Sequence, residues 1–281
     1  MDALIGFNGF VGSTLLSQLP SKPELYNSSN LEDIKFKTFD NLYICCPTGS
    51  KYYVNEHSYQ DYMNMRDILR LLATVNCNDC YLVSSQDCNS TLYSDETFIC
   101  YPFTEYGKNR LFFEDAIRDL FENHHVMRIG CLFGKGLKKN IIFDLLNHNY
   151  LENIKSDFAY QLYNMDYLYK DMQIMKQLDI HLWNRFSEPV YISEIIKLFN
   201  ECGYDYHFDL PLDDDLSYRN KGSLIKKSAI MSELKDFILN YEHNSDDRHQ
   251  RANGEQFNLN FTDPKSRGVN RYLRMQQTNV S

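Results

Sequence analysis

The chain of 281 residues is 43% hydrophobic and 24% charged, with a formal net charge of −9 at pH 7. This is an ordinary globular composition, long enough for one large domain or a main domain with a smaller lobe. The acidic balance argues against nucleic acid as the main partner, because phosphate binding needs a basic face. No apolar stretch approaches the roughly 18–20 residues that cross a bilayer, which argues against a membrane partner, and the first residues read as a strand with no signal peptide.

Segments alternate in type through the first half. "DALIGF" reads as a strand, "FVGSTLLSQL" as a helix, "PELYN" as a short strand and "NLYICC" as a third strand. An amphipathic helix, "YQDYMNMRDILRLLATV", precedes the strand "DCYLVSS"; the helix "YGKNRLFFEDAIRDLFEN" then leads to the strand "HVMRIGCLFG". Strands separated by helices of this length imply right-handed crossovers, hence a doubly wound parallel sheet covered on both faces. After Gly136 the pattern loosens. "NIIFDLLNHNYL", "MDYLYKDMQIMKQLDI", "VYISEIIKLFNECG" and "KKSAIMSELKDFILNYE" read as helices of a smaller lobe. The expected organisation is a dinucleotide-binding core over 1–136, a substrate lobe interleaved with it over 137–242, and a polar tail over 243–281.

The eight cysteines do not form a disulfide framework. Cys45, Cys46 and Cys131 lie in apolar strand-like runs, where thiols behave as small hydrophobes. Cys77 and Cys80 form a C-x-x-C with no second Cys or His pair at zinc spacing, and are read as a turn before a strand. A reduced, cytoplasmic protein without a metal is expected.

Gly6, Gly9 and Gly12 occupy the first, fourth and seventh positions of the first strand-to-helix turn; the usual dinucleotide fingerprint has first, third and sixth. Gly6 permits a tight turn, Gly9 a close approach of phosphate to backbone, and Gly12 close packing of the helix on the strand. Two readings stand on these residues alone: a pyrophosphate cradle at a helix N-terminus, or a structural turn. Ser84 and Ser85 end a strand at the carboxyl edge, where open α/β sheets bind ligands. Tyr106 and Arg110 are four apart on a helix and share a face, while Lys108 points away. A hydroxyl, a phenol and a cation at one edge suit hydride transfer. The phenol exchanges a proton with the substrate oxygen, the cation lowers the phenol's pKa, and the serine orients that oxygen.

With these residues assembled, the sequence resembles the extended short-chain dehydrogenases/reductases, the NAD(P)-dependent group of nucleotide-sugar epimerases, dehydratases and 4-keto reductases, over roughly residues 1–205. The G-x-x-G-x-x-G signature matches Gly6, Gly9 and Gly12; the serine-bearing strand end matches "VSSQDCN"; Y-x-x-x-K matches "YGKNR" except at its last residue. Asn64 in "YMNMRDILRLL" resembles the family's helix asparagine, and "VMRIGCLFGKGLKKN", "YNMDYLYKDM" and "SEPVYISEIIKLF" resemble later segments. The resemblance implies a Rossmann-type doubly wound sheet with a smaller C-terminal lobe. Catalysis would fall to Ser85, Tyr106 and Arg110. Cofactor contacts would come from Gly6, Asn8, Gly9, Phe10, Val11 and Gly12, from Asn27, Ser28 and Ser29, from Cys46, Pro47 and Thr48, and from Asn64, Tyr106 and Arg110. Substrate contacts would come from Lys51, Ser85, Gln86, Asp87 and Asn140.

The sequence departs from this pattern in two places. Arg110 stands where the family carries lysine, an exchange that keeps charge but not shape. It leaves open an active enzyme or a binding-competent, slow relative. The second strand ends "LYNSSN", without the acid that binds a ribose 2′-hydroxyl, which leans toward NADP over NAD, although no Arg or Lys is seen to clamp a 2′-phosphate. Thr48, Gly49 and Lys51 line the cofactor or form a plain loop, and Lys135, Lys138 and Lys139 meet a diphosphate or stay solvated. Cys88 and Asn89 stand where a dehydratase would carry a glutamate, which disfavours dehydration. The reading is therefore an oxidoreductase acting on a nucleotide-activated sugar, a 4-keto reductase or epimerase; the resemblance further implies a homodimer through the helices of Asn64 and Tyr106, whose apolar faces permit it. The alternative is a dinucleotide-binding sensor or assembly protein with little activity.

Overall fold

In the computed structural model, residues 1–47, 51–89, 102, 104–211 and 224–241 are described. The expected contact of Thr48 and the tail over 243–281 lie outside them. Residues Met1–Asn240 form one compact unit.

In the first half, strands β1 (Ala3–Ile5), β2 (Glu24–Tyr26) and β3 (Thr38–Ile44) flank helix α1 (Phe10–Gln18). Helices α2 (Lys51–Glu56) and α3 (Ser58–Leu72) follow, then β4 (Asn76–Ser85), α4 (Glu105–Leu120), β5 (His124–Ile129) and β6 (Cys131–Phe133). The second half holds α5 (Ile141–Asn147), β7 (Ala159–Tyr160), β8 (Leu162–Asn164), α6 (Leu168–Gln177), β9 (Leu182–Ser187), β10 (Val190–Tyr191), α7 (Ile192–Glu201), β11 (Leu224–Ile225) and α8 (Lys227–Leu239).

Seven strands form one parallel sheet in the order β11-β9-β5-β4-β3-β1-β2. Alternate residues of each strand face opposite layers, as the two-residue period requires. Ala3, Ile5, Leu42, Ile44, Cys80 and Leu82 pack with Met65 and Leu72 of α3 and Phe113 and Ile117 of α4. Leu4, Tyr43, Tyr81 and Met127 pack on the other face with Leu15 of α1 and Leu168, Met172 and Met175 of α6. The sheet is thus doubly wound, as expected. The chain passes from β1 to β2 on one side and then to β3 on the other. The crevice between the carboxyl ends of β1 and β3 is the topological switch point.

Several local expectations are corrected. Cys77 and Cys80 lie within β4, whose ten residues begin at Asn76, and not in a turn before it; both pair with β3. The single strand expected over "HVMRIGCLFG" is two. At Gly130 the chain passes so close to Gln161 that a Cβ would stand 2.1 Å from its carbonyl oxygen. Beyond that point β6 leaves the main sheet and pairs with β8. Helix α2 forms where a loop was expected. Strand β9, "LWNRFS", shows weak alternation in sequence because Asn184 is buried as a polar partner of Asn89. All seven described cysteines are free thiols. Among the described residues no helix is long and apolar enough to cross a membrane.

Candidate active site

The carboxyl edge of the sheet opens into a cleft of about 710 Å³. Its floor is the glycine turn. Gly6 has φ +86°, a conformation that L side chains rarely adopt, and a Cβ on Gly12 would stand 2.1 Å from the Gly6 carbonyl oxygen. Both glycines are therefore needed for α1 to start directly against β1. The Gly9 amide donates to the Gly6 carbonyl (3.1 Å), closing the turn. Helix α1 begins at Phe10 with no side chain capping it, so its first-turn N–H groups are left to an outside acceptor. Asn8, Gly9, Phe10 and Val11 line the cleft at this point. An uncapped helix N-terminus over a turn that admits no Cβ fits a pyrophosphate.

Ser85 and Tyr106 meet at the next strand end. Ser85 donates to Asp87 Oδ2 (3.0 Å), and its oxygen accepts from the Asp87 amide (3.2 Å). Lys51 Nζ donates to Asp87 Oδ1 (2.5 Å). Asp87 is therefore held among partners, with its side chain 13% exposed. Tyr106 is partly buried in the first turn of α4. Thr104 accepts from the Gly107 amide and Asn55 of α2 accepts from the Tyr106 amide, which caps that helix. Gly107 sets the depth of docking, because a Cβ there would stand 2.2 Å from the Asp87 carbonyl oxygen. Burial pushes the Tyr106 phenol's pKa up; the Arg110 cation and a hydrogen bond with Ser85 oppose this, while Asp87 and Cys88 add to it.

Arg110 shares the face of Tyr106 as expected, with its guanidinium carbon 4.7 Å from the centre of the tyrosine ring. Its charge is not free, however. Nη2 donates to both carboxylate oxygens of Asp61 (2.7 and 2.8 Å), and Nη1 donates to the Pro47 carbonyl (3.1 Å). The two side chains are 5% and 7% exposed. Asn109 Nδ2 donates to Asp61 as well (2.9 Å), tying α4 to the start of α3. Of the Arg110 nitrogens, Nε is buried without a hydrogen-bond partner among the described residues.

Beneath the strand end, Ser84 donates to Glu114 Oε1 (2.5 Å). Arg128 grips Glu114 through Nε and Nη2, and its Nη1 donates to Asn89 Oδ1 (2.7 Å). Glu114 and Arg128 are fully buried. This network fixes both flanks of the Ser85–Asp87 turn from inside the protein.

Most of the expected site residues converge on this cleft. Asn8, Gly9, Phe10, Val11, Cys46, Pro47, Lys51, Ser85, Asp87, Tyr106, Arg110 and Asn140 all line it. Lys138 and Lys139 line it too, and Lys108 is turned away, paired with Glu105. Asn140 Oδ1 caps α5 and its Nδ2 donates to the Leu132 carbonyl, so its side-chain groups are engaged by the fold.

Other residues expected at the site do not line this cleft. Asn64 is exposed on α3 and accepts from Gln60; the inward face of that helix carries Asp61, Met65 and Leu72, and Asn64 falls to its side. Gln86 does not line the cleft, and its Oε1 is buried without a hydrogen-bond partner among the described residues. Asn27, Ser28 and Ser29 lie outside the cleft, where Asn27 Oδ1 is occupied by the Ser29 amide and hydroxyl. Asp61, Asn109, Gly107 and Glu114 were not anticipated. Asp61 carried a signal, a carboxylate on the apolar stripe of an amphipathic helix. Among the described residues no cluster of three or more His, Cys, Asp or Glu is placed to hold a metal ion.

No protein-family model matches the sequence, and no curated protein matches it. Solved structures do. A dTDP-4-dehydrorhamnose reductase from Clostridium acetobutylicum aligns over 85% of this chain and 98% of its own, at 14% identity and a TM-score of 0.65. UDP-glucose 4-epimerase from Thermotoga maritima, solved with UDP-glucose, aligns over 85% and 97%, at 14% identity and a TM-score of 0.61. A dTDP-4-dehydrorhamnose reductase from Bacillus anthracis, solved with NADP, aligns over 85% and 98%, at 14% identity and a TM-score of 0.64. The chain has the Rossmann-type fold of these nucleotide-sugar reductases and epimerases, across nearly their full length.

Proposed function

We propose that this protein is an NAD(P)-dependent oxidoreductase acting on a nucleotide-activated sugar, as a 4-keto reductase or an epimerase, with NADP favoured over NAD. The observation that carries the reading is that Ser85 and Tyr106 both line the cleft floored by the uncapped start of α1. A bound nicotinamide supplies hydride chemistry at the sugar carbon. Phe10 and Val11 would hold its pyrophosphate on their amides. Ser85 would exchange its bond to Asp87 for one to the substrate oxygen, and Tyr106 would pass a proton to or from that oxygen. Lys138 and Lys139 put positive charge along the cleft, which suits the diphosphate of a nucleotide sugar. The core over 1–136, the interleaved lobe to 242, a cytoplasmic setting and a homodimer through α3 and α4 belong to the same reading; exposed Tyr59 on α3 and Leu120 at the end of α4 are available to such a contact.

Titration of the purified protein with NADPH and NADH tests it, following quenching of Trp183 and tyrosine fluorescence and the thermal shift. Micromolar binding is expected, tighter for NADPH, with turnover of a 4-keto sugar nucleotide. Failure of both dinucleotides to bind the folded protein overturns the reading.

One observation favours a second reading, a dinucleotide-binding sensor with little chemistry: the Arg110 charge is held by Asp61. If Arg110→Lys raises turnover of the identified substrate, the natural chain is the impaired form; if it lowers turnover, arginine is the adapted residue.

A further inference from the structure

The Tyr106 phenol faces two closed ion pairs. On its own helix lies Arg110, whose guanidinium stacks on the tyrosine ring and is neutralised from behind by Asp61 of α3. From the turn after β4 come Asp87 and the thiol of Cys88, and Asp87 is neutralised by Lys51 of α2. Lys138 and Lys139 line the same cleft. A cation held through one nitrogen by both oxygens of a buried carboxylate stabilises a neighbouring anion far less than a free one, because the two fields largely cancel at the phenol. Nη1 is spent on Pro47, so the guanidinium is also fixed in place and cannot turn toward the tyrosine oxygen without breaking three hydrogen bonds.

We propose that Asp61 is a positioning residue which, by closing this pair with Arg110, keeps Tyr106 protonated, so that the site works as a carbonyl reductase and not as an enzyme that begins by oxidising an alcohol. The inference rests on the oxidoreductase reading and narrows it to reduction. In the step it assigns, the substrate's carbonyl carbon gains hydride from a reduced nicotinamide. The C=O π electrons move to oxygen, and that oxygen takes the Tyr106 proton. An alcohol forms, the nicotinamide is left oxidised, and solvent returns a proton to the tyrosinate. Epimerisation starts in the opposite sense, with a tyrosinate removing the hydroxyl proton, and that state is the one the two closed pairs leave without support.

The test is a pH titration of Tyr106 in the full chain without cofactor, by NMR of protein labelled with ¹³Cζ-tyrosine, the resonance being assigned by its loss in Tyr106→Phe. The wild-type midpoint is expected at or above that of free tyrosine, about 10. A midpoint below about 8.5 overturns the inference. Asp61→Asn frees the Arg110 charge and is expected to lower the midpoint by at least one pH unit, a tenfold gain in tyrosinate; an unchanged midpoint overturns the role of Asp61. Because that variant leaves a buried cation unpaired, the paired substitution Asp61→Leu with Arg110→Met is measured beside it. Removing both charges is expected to leave the midpoint within about half a unit of wild type. A rise above one unit would show Arg110 acting as an isolated cation, and would overturn the proposal. These titrations need no dinucleotide. Failure of NADPH and NADH to bind therefore sinks the oxidoreductase reading, while a low Tyr106 midpoint with binding intact sinks this inference alone.

Discussion

Gly107 lies so close under Asp87 that a Cβ would stand 2.2 Å from the Asp87 carbonyl oxygen and 2.9 Å from Cβ of Pro102. That contact sets how deeply α4 docks, and so where Tyr106 meets Ser85. Gly107→Ala should push the helix outward. A misplacement near 1 Å costs about 100-fold in turnover, while overpacking costs about 1–3 kcal/mol of stability. Kinetics with the identified substrate beside thermal unfolding checks both; wild-type turnover would show that the docking depth is not set here.

Tyr106→Phe removes the proton donor and keeps the ring on which Arg110 stacks. Turnover is expected to fall by about 10²–10⁴-fold, with dinucleotide affinity within threefold of wild type. Steady-state kinetics and fluorescence titration separate the two effects. Unchanged turnover of the identified substrate assigns the proton to another group.

Glu114 and Arg128 form a fully buried pair. Glu114→Gln leaves the guanidinium without a countercharge and should cost about 3–5 kcal/mol, a fall in Tm of roughly 10 °C. Differential scanning calorimetry measures it. A loss under about 1 kcal/mol would mean that the interior there is wet.

Asp144, on α5, has its carboxyl pushed up to about 6 by burial. The folded state thus prefers the neutral acid. That preference contributes stability which is fully present below the unfolded value near 4 and is lost as pH rises through 6. Asp144→Asn, neutral at every pH, should therefore raise stability at pH 7.5 by about 1–2 kcal/mol, allowing for partial solvent screening, with the gain fading toward pH 4. Urea unfolding at both pH values provides the comparison. A gain equal at the two pH values would refute the assignment.

Much of the protein is legible in the order of its residues, because the causes are local. Strand and helix periods over the first half specify the doubly wound sheet. The spacing of Gly6 and Gly12 specifies the turn, since only glycine tolerates φ +86° at the one and a gap of 2.1 Å at the other. The four-residue step from Tyr106 to Arg110 puts both on one helical face, and Lys108 on another. What the sequence could not decide is what meets those faces. Asp61 lies 49 residues before Arg110, and Glu114 meets Arg128 only once α4 has packed on β5. Asn64 and Asp61 share a helix, and packing alone turns Asp61 inward and leaves Asn64 to solvent. Periodicity determines the direction in which a side chain leaves its own backbone. Whether it finds a countercharge, a carbonyl or water there depends on distant segments, and in a buried site that partner decides whether a cation is free to act.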